Sequence, residues 1–185
     1  MERIEKLIWK RFTLKEAILL GFCATFILLT RVGLRLHLHL PGHVMLFMTF
    51  FLLLSRGCVP KTGAATLVGL IASIGTLALG MSNGSPLILV KFLLPALLVD
   101  LAAICYPGFA VSYAGCLTIG IIASAVRSLS VSGLEFLLGV EDEIILQQAL
   151  ITALVNCLYA AAGAAIVPPV VKRLQANSLI ARSPA

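Results

Sequence analysis

Two ionisable residues lie inside one long apolar segment of the sequence. Residues 87–106 are almost entirely hydrophobic, yet they include Lys91 and Asp100. A carboxylate at membrane depth costs roughly 2.5–3.5 kcal/mol on insertion scales, so it faces a partner or a water-filled cavity. Asp100 could contact a substrate or relay protons. Alternatively, it could be held structurally, by an ion pair with Arg56 or a hydrogen bond with Asn156.

Lys91 and Asp100 are predicted not to pair with each other. Nine residues of α-helix place them half a turn out of phase and roughly 13 Å apart along the axis. Lys91 could contribute a cationic contact to an outward-facing pocket, or it could extend its ammonium group to the membrane surface. Pro95 lies between them and leaves the carbonyl of Lys91 without its helical partner, which predicts a bend there.

Further cationic residues fall near the same predicted outer side. If they converge, they predict a site for a carboxylate or a phosphate; the acidic residues 141–143 could instead pair with them. The candidate substrate-binding residues are Arg35, His37, His39, Lys91, Asp100, Arg127 and Asn156, with Arg31 close to them in sequence. No carboxylate or cysteine nearby completes a metal shell with His37 and His39, so no metal site is predicted.

The segment from Leu34 to Leu40 alternates leucine with Arg35, His37 and His39. In an extended chain, this period of two places all the leucines on one face. The segment could therefore lie across the outer mouth of a bundle as a lid. The alternative is a helical end of the first span resting at the interface.

The composition predicts an all-α integral membrane protein with a single domain over residues 1–185. Hydrophobic residues make up 60% of the chain and charged residues 12%, whereas soluble domains carry about 25% charged residues. The sequence predicts a bundle of six transmembrane helices joined by short loops. The predicted spans are 14–35, 42–55, 63–80, 86–106, 109–129 and 145–171.

The net charge of +6 follows from topology and does not predict nucleic-acid binding. With the amino terminus inside, ten of the 14 Lys and Arg residues fall on the inner side. This is the positive-inside bias, and it places both termini in the cytoplasm.

The chain lacks the motifs of several enzyme classes. It contains no G-x-x-x-x-G-K-[ST] phosphate-binding loop, no G-x-S-x-G and no H-E-x-x-H. We therefore predict that it is not an enzyme and has no cofactor. Energy for uphill transport would come from partner subunits or an ion gradient.

Small residues recur at every fourth position in four predicted spans. Such faces allow close approach of helices in lipid. The face on the first span, at Ala17, Gly21 and Thr25, could dock another membrane helix or pack internally. The others are predicted to pack inside the bundle. They comprise Ala65, Gly69 and Ser73; Ser112, Cys116, Gly120, Ser124 and Ser128; and Ala149, Ala153, Cys157, Ala161 and Ala165.

Together these features resemble the substrate-binding (S) components of energy-coupling factor (ECF) transporters. The resemblance rests on six short spans, both termini inside, the small-residue face of the first span and a lid-like first outer loop. Residues 55–80, SRGCVPKTGAATLVGLIASIGTLALG, and residues 91–101, KFLLPALLVDL, are similar to stretches in this family.

The resemblance implies capture of a vitamin-like micronutrient at the outer face of a prokaryotic cytoplasmic membrane. It also implies a transmembrane scaffold (T) subunit and two cytoplasmic ATPases as partners. Family members dock the scaffold through an Ala-x-x-x-Ala motif, which here corresponds to Ala17 and Gly21. Nickel and cobalt members begin with a histidine near the amino terminus, whereas this chain begins Met-Glu-Arg.

Two other functions remain open. A non-transport membrane scaffold or biogenesis factor would have a solid bundle without a cavity. A small ion-coupled carrier would use Asp100 as its relay and would be expected to contain an inverted internal repeat. Residues 1–80 and 81–185 show no convincing likeness to each other.

Overall fold

The described part of the chain is entirely helical. The structure is a computed structural model that describes residues 12–37, 42–80, 87–106, 108–137 and 142–177. Within these residues there are six α-helices and one short 3-10 helix, Phe109–Val111. The α-helices are α1 (Leu14–His37), α2 (His43–Cys58), α3 (Ala64–Ala78), α4 (Leu87–Cys105), α5 (Tyr113–Leu137) and α6 (Asp142–Ala176).

Four of the helices are long and apolar enough to cross a membrane: α1, α4, α5 and α6. Helix α2 has 16 residues and α3 has 15, or roughly 22–24 Å of helix against a hydrocarbon core of about 30 Å. All the described elements are helices, so the all-helical prediction is confirmed for this part of the chain. These apolar helices indicate a membrane protein.

The alternating segment after the first span is helical where the structure describes it. Helix α1 continues without interruption to His37. The extended lid is therefore wrong for residues 34–37, and the alternative of a helical end is correct there. His39 lies outside the described residues.

Helix α2 occupies the centre of the bundle, where it contacts each of the other five helices. The carboxyl-terminal half of α2 is buried on nearly every side. Its buried residues include Leu52, Leu53, Ser55 and Gly57. Because its neighbours separate it from lipid, α2 does not need the length of a full membrane span.

The small-residue faces of α3 and α5 pack inside the bundle, as predicted. A Cβ added to Gly69 would lie 2.7 Å from the Cβ of Ala96 on α4. A Cβ added to Gly120 would lie 2.9 Å from the Cβ of Ala164 on α6. At both contacts the helices approach more closely than any larger residue allows, so glycine determines the spacing.

The predicted face of α6 is offset from the observed one. Ala153, Cys157, Ala161 and Ala165 are only half-buried, and the side chain of Ala149 lies outside the described set. Helix α6 packs along both α2 and α5, so its buried face points between these two neighbours. The fully buried residues of this face are Ala160, Ala164, Val167 and Val171, with Gly163 among them.

The bundle has two distinguishable ends. At the first, which we call the base, the start of α1 meets the α2–α3 connection through an ion pair between Glu16 and Lys61. At the opposite end, the rim, Gly42 at the start of α2 approaches Val155 and Tyr159 of α6. Pro95 is buried within α4 between these ends, and the helix continues on both sides of it.

Large apolar side chains cover the outside of the bundle. On α1 and α6 they include Leu14, Ile18 and Phe22, and Leu150, Leu154 and Leu158, all more than half exposed. Water would disfavour an apolar surface of this extent, whereas lipid tails solvate it. The distribution supports placement of these helices in a bilayer.

Candidate functional site

The predicted site residues divide between the two ends of the bundle. Asp100 lies at the base, where it contacts the first turn of α3. Arg127 lies toward the rim, where it contacts Met45 near the start of α2. The two are therefore parts of different clusters and do not form one site.

The other predicted residues lie on α1, α4 and α6, apart from His39. Lys91 on α4 and Asn156 on α6 are half-buried. Arg35 and His37 belong to the last turn of α1, but their side chains fall outside the description, as does all of His39.

Asp100 caps the amino terminus of α3 from a different helix. Its Oδ2 accepts hydrogen bonds from the Thr66 N–H at 2.8 Å and from the Thr66 hydroxyl at 2.6 Å, and Oδ1 accepts from the Ala65 N–H at 3.4 Å. The N-cap residue of α3 is Gly63, which adopts a left-handed φ of 90° and supplies no side-chain cap. The carboxylate of Asp100 therefore replaces the missing cap and faces the positive end of the helix dipole.

Arg56 completes this cluster. Its Nε lies 3.4 Å from Asp100 Oδ1, and the two side chains are 8% and 7% exposed, so the ion pair is buried. Arg56 Nη1 also donates to the carbonyl of Val59 at 3.3 Å, which ties the end of α2 to the connection before α3. The predicted Arg56–Asp100 pair is confirmed. Within the described residues, Asp100 contacts Ala65, Thr66 and Arg56 rather than Asn156.

Two arginines approach each other toward the rim. Arg127 Nη1 on α5 contacts the Met45 sulfur. Arg31 on α1 lies over the ring of Phe92 on α4, 4.9 Å from its centroid. The two residues carry like charges at the same end of the bundle, where they repel each other. Arg31 and Arg127, two of the cationic residues considered in the sequence analysis, therefore lie toward the same end of the bundle.

Two serine hydroxyls on α5 lie on the same helix face as Arg127. Positions 124, 127 and 128 are spaced i, i+3 and i+4, which places them side by side. The Oγ atoms of Ser124 and Ser128 are buried and have no hydrogen-bond partner among the described residues. By contrast, Ser130 on the same helix donates to the carbonyl of Val126 at 2.7 Å. We call Arg31, Arg127, Ser124 and Ser128 the rim cluster.

Three residues of these clusters are not among the predicted site residues. Thr66 follows a glycine N-cap that cannot cap its own helix. Ser124 and Ser128 belong to a face that the sequence predicts only to pack inside the bundle. Their spacing around Arg127 was the available signal, because it predicts a shared polar face.

The predicted docking face of α1 points away from the bundle. Ala17 and Thr25 are exposed and Gly21 is half-buried. A Cβ added to Gly21 would meet nothing within 4 Å. The hydroxyl of Thr25 donates to the Gly21 carbonyl at 2.8 Å, so the face presents no unsatisfied hydroxyl donor.

No family model, curated protein or solved structure matches this chain.

Proposed function

We propose that this chain is the membrane-embedded substrate-binding subunit of an ECF-type importer that captures a vitamin-like micronutrient. Its partners are a transmembrane scaffold (T) subunit and two cytoplasmic ATPases. The observation that carries the proposal is the contrast between α1 and the helices α3 and α5. The small-residue faces of α3 and α5 are buried, whereas that of α1 is open.

An open small-residue face has a specific use in lipid. Apolar side chains gain little from leaving lipid tails for a helix contact, so helix association depends on close van der Waals packing. Gly21 and Ala17 provide a shallow surface on which another transmembrane helix can approach closely. Exposed Ile18 and Phe22 flank this surface and would provide apolar contacts at its edges.

The charge distribution supports the orientation of the proposal. Glu16 and Lys61 at the base belong to the side on which ten of 14 basic residues are predicted. By the positive-inside rule the base faces the cytoplasm, and the rim faces outward. The rim cluster then lies toward the side from which a nutrient arrives, and the base lies toward the ATPases.

The two alternative functions receive less support. An ion-coupled carrier with Asp100 as relay needs a carboxylate that can release its contacts, but Asp100 is held by Thr66, Ala65 and Arg56. A scaffold or biogenesis factor gives no role to the buried serine hydroxyls near Arg127.

Substitution of Gly21 by leucine tests the docking face. The side chain would protrude into the space that a partner helix must occupy, so we expect co-purification of the T subunit with the tagged chain to fall by at least about tenfold. The bundle itself should remain intact because nothing surrounds a Cβ at this position. Co-purification from native membranes is measured by quantitative mass spectrometry.

The matched control is Gly33→Leu. Gly33 lies on the same helix, is exposed, and also has no atom within 4 Å of an added Cβ. Twelve residues of helix place it about 120° away from Gly21 and about 18 Å along the axis. Loss of association in both variants, or in neither, would refute the assignment of the docking face to Ala17 and Gly21.

A further inference from the structure

We propose that the rim cluster binds an oxyanion, a carboxylate or phosphate group, between α1 and α5. The inference rests on the proposed function, because it assigns the bound carboxylate or phosphate to the imported molecule. It therefore specifies the class of substrate as a small acidic metabolite. A phospholipid headgroup offers the same oxyanion chemistry, and the experiment below distinguishes the two sources.

The first argument is the charge of Arg127. Within the described residues the ion pairs are Arg56–Asp100 and Lys61–Glu16, both toward the base. The polar contact of Arg127 is the sulfur of Met45, a neutral and weak acceptor. Its buried Nε has no acceptor among the described residues. An uncompensated guanidinium in an apolar bundle is costly, and a bound anion would remove that cost.

The second argument is Arg31, which adds a second positive charge at the same end of the bundle, where it repels that of Arg127. An oxyanion bound near both guanidinium groups would be attracted by both. Arginine suits this role because its planar guanidinium donates two parallel hydrogen bonds to a carboxylate or phosphate.

The third argument is the pair of serine hydroxyls. Serine and threonine inside helices usually donate to a carbonyl three or four residues earlier. Ser55, Ser73 and Ser130 do so here. Ser124 is fully buried, and the hydroxyls of both Ser124 and Ser128 make no hydrogen bond within the described residues. They remain available as donors beside Arg127.

Depth also distinguishes Arg127 from an arginine that merely extends to the surface. It lies ten residues before the end of α5 at Leu137, roughly 15 Å along the axis. Its Nε is buried among protein atoms instead of reaching water. The side chain is therefore partly buried within the bundle, where its charge can act on a ligand.

The test uses the full chain in phosphatidylcholine nanodiscs, with inorganic phosphate and acetate as probes and chloride as the reference anion at constant ionic strength. We expect at least one oxyanion to bind saturably with 1:1 stoichiometry, measured from the shift in the thermal unfolding midpoint. Arg127→Gln should weaken this binding roughly 10- to 100-fold, and Arg127→Lys should restore part of it.

Two further variants guard against misfolding and general charge effects. Ser124→Ala removes one hydroxyl with little change in volume, and we expect it to weaken oxyanion binding roughly three- to tenfold. Lys172→Gln removes an exposed positive charge at the base, near the ring of Tyr113, and should bind the probes as the unaltered chain does. Equal binding of the probes by all variants overturns the inference. Absence of binding by phosphate, acetate and an anionic lipid alike also overturns it.

The lipid source is tested in nanodiscs containing phosphatidylglycerol. If native mass spectrometry shows one phosphatidylglycerol retained by the unaltered chain and lost in Arg127→Gln, while phosphate and acetate do not bind, the assignment to an imported molecule is overturned. If a metabolite without an acidic group co-purifies equally with the unaltered chain and Arg127→Gln, the inference fails but the proposed function stands.

Discussion

Replacing Asp100 with alanine should lower the free energy of unfolding by about 3–5 kcal/mol, the usual cost of removing one partner from a buried ion pair. The loss has two parts. Arg56 would remain buried without its counter-ion. The first turn of α3 would also lose the side-chain cap that Asp100 provides, which Gly63 cannot supply. The change is measured by heating the protein in detergent and using size-exclusion chromatography to quantify the fraction that stays folded.

The companion variant Asp100→Asn separates a structural role from a functional one. The amide keeps the shape of the side chain but loses its charge, so we expect a substantial loss of stability with ligand binding retained in the folded fraction. If Asp100→Asn instead leaves the unfolding midpoint unchanged and abolishes ligand binding, Asp100 contacts the substrate and the structural role proposed here is wrong.

The double variant Arg56→Leu/Asp100→Leu provides a second control. Removing both charges together is less damaging than removing one, because no unpaired charge is left inside the bundle. Part of the loss should persist, since the N–H groups of Ala65 and Thr66 still lack an acceptor. Additive effects of the two single variants would contradict the pairing.

Replacing Gly163 with alanine should destabilise the bundle by about 3 kcal/mol, toward the upper end of the range for overpacking. A Cβ at this position would lie 2.3 Å from the carbonyl oxygen of Leu46 and 3.1 Å from its carbonyl carbon. Because the obstructing atoms belong to the backbone of α2, no side-chain rotation can relieve the overlap. Helices α2 and α6 must separate instead. The thermal unfolding midpoint in detergent measures the effect.

Gly21→Ala is the matched control for this prediction. It makes the same chemical change within a helix, but nothing lies within 4 Å of the added Cβ. Alanine is also the better helix former by about 1 kcal/mol, so the unfolding midpoint should stay the same or rise slightly. Similar losses at Gly21 and Gly163 would show that the close approach of α2 and α6 is not what makes Gly163 necessary.

The sequence predicted the helical architecture well, because long apolar segments in lipid have few alternatives to the helix. It also predicted the Arg56–Asp100 pair, since a carboxylate inside an apolar span needs a partner. The spacing of Gly69 and Gly120 correctly indicated internal packing. In each case a local pattern constrained the structure strongly.

Other features depended on neighbours that the sequence does not reveal. That Asp100 caps α3 follows from how α4 lies against the start of α3. Asp100 and Thr66 are 34 positions apart along the chain, and the sequence gives no sign of their contact. The buried face of α6 was offset because that helix packs against α2 and α5 together. The alternation in residues 34–37 suggested an extended chain, but the apolar helix before it continued to His37.

The central claim is that this protein, alone and without ATP, holds one small water-soluble molecule. Native mass spectrometry of the full chain, purified from cells grown in rich medium, tests it most directly. We expect a near-stoichiometric added mass that is not a lipid, and that disappears when the protein is unfolded and refolded in defined buffer. A bare mass, or adducts of lipid only, from several hosts and media would contradict the account.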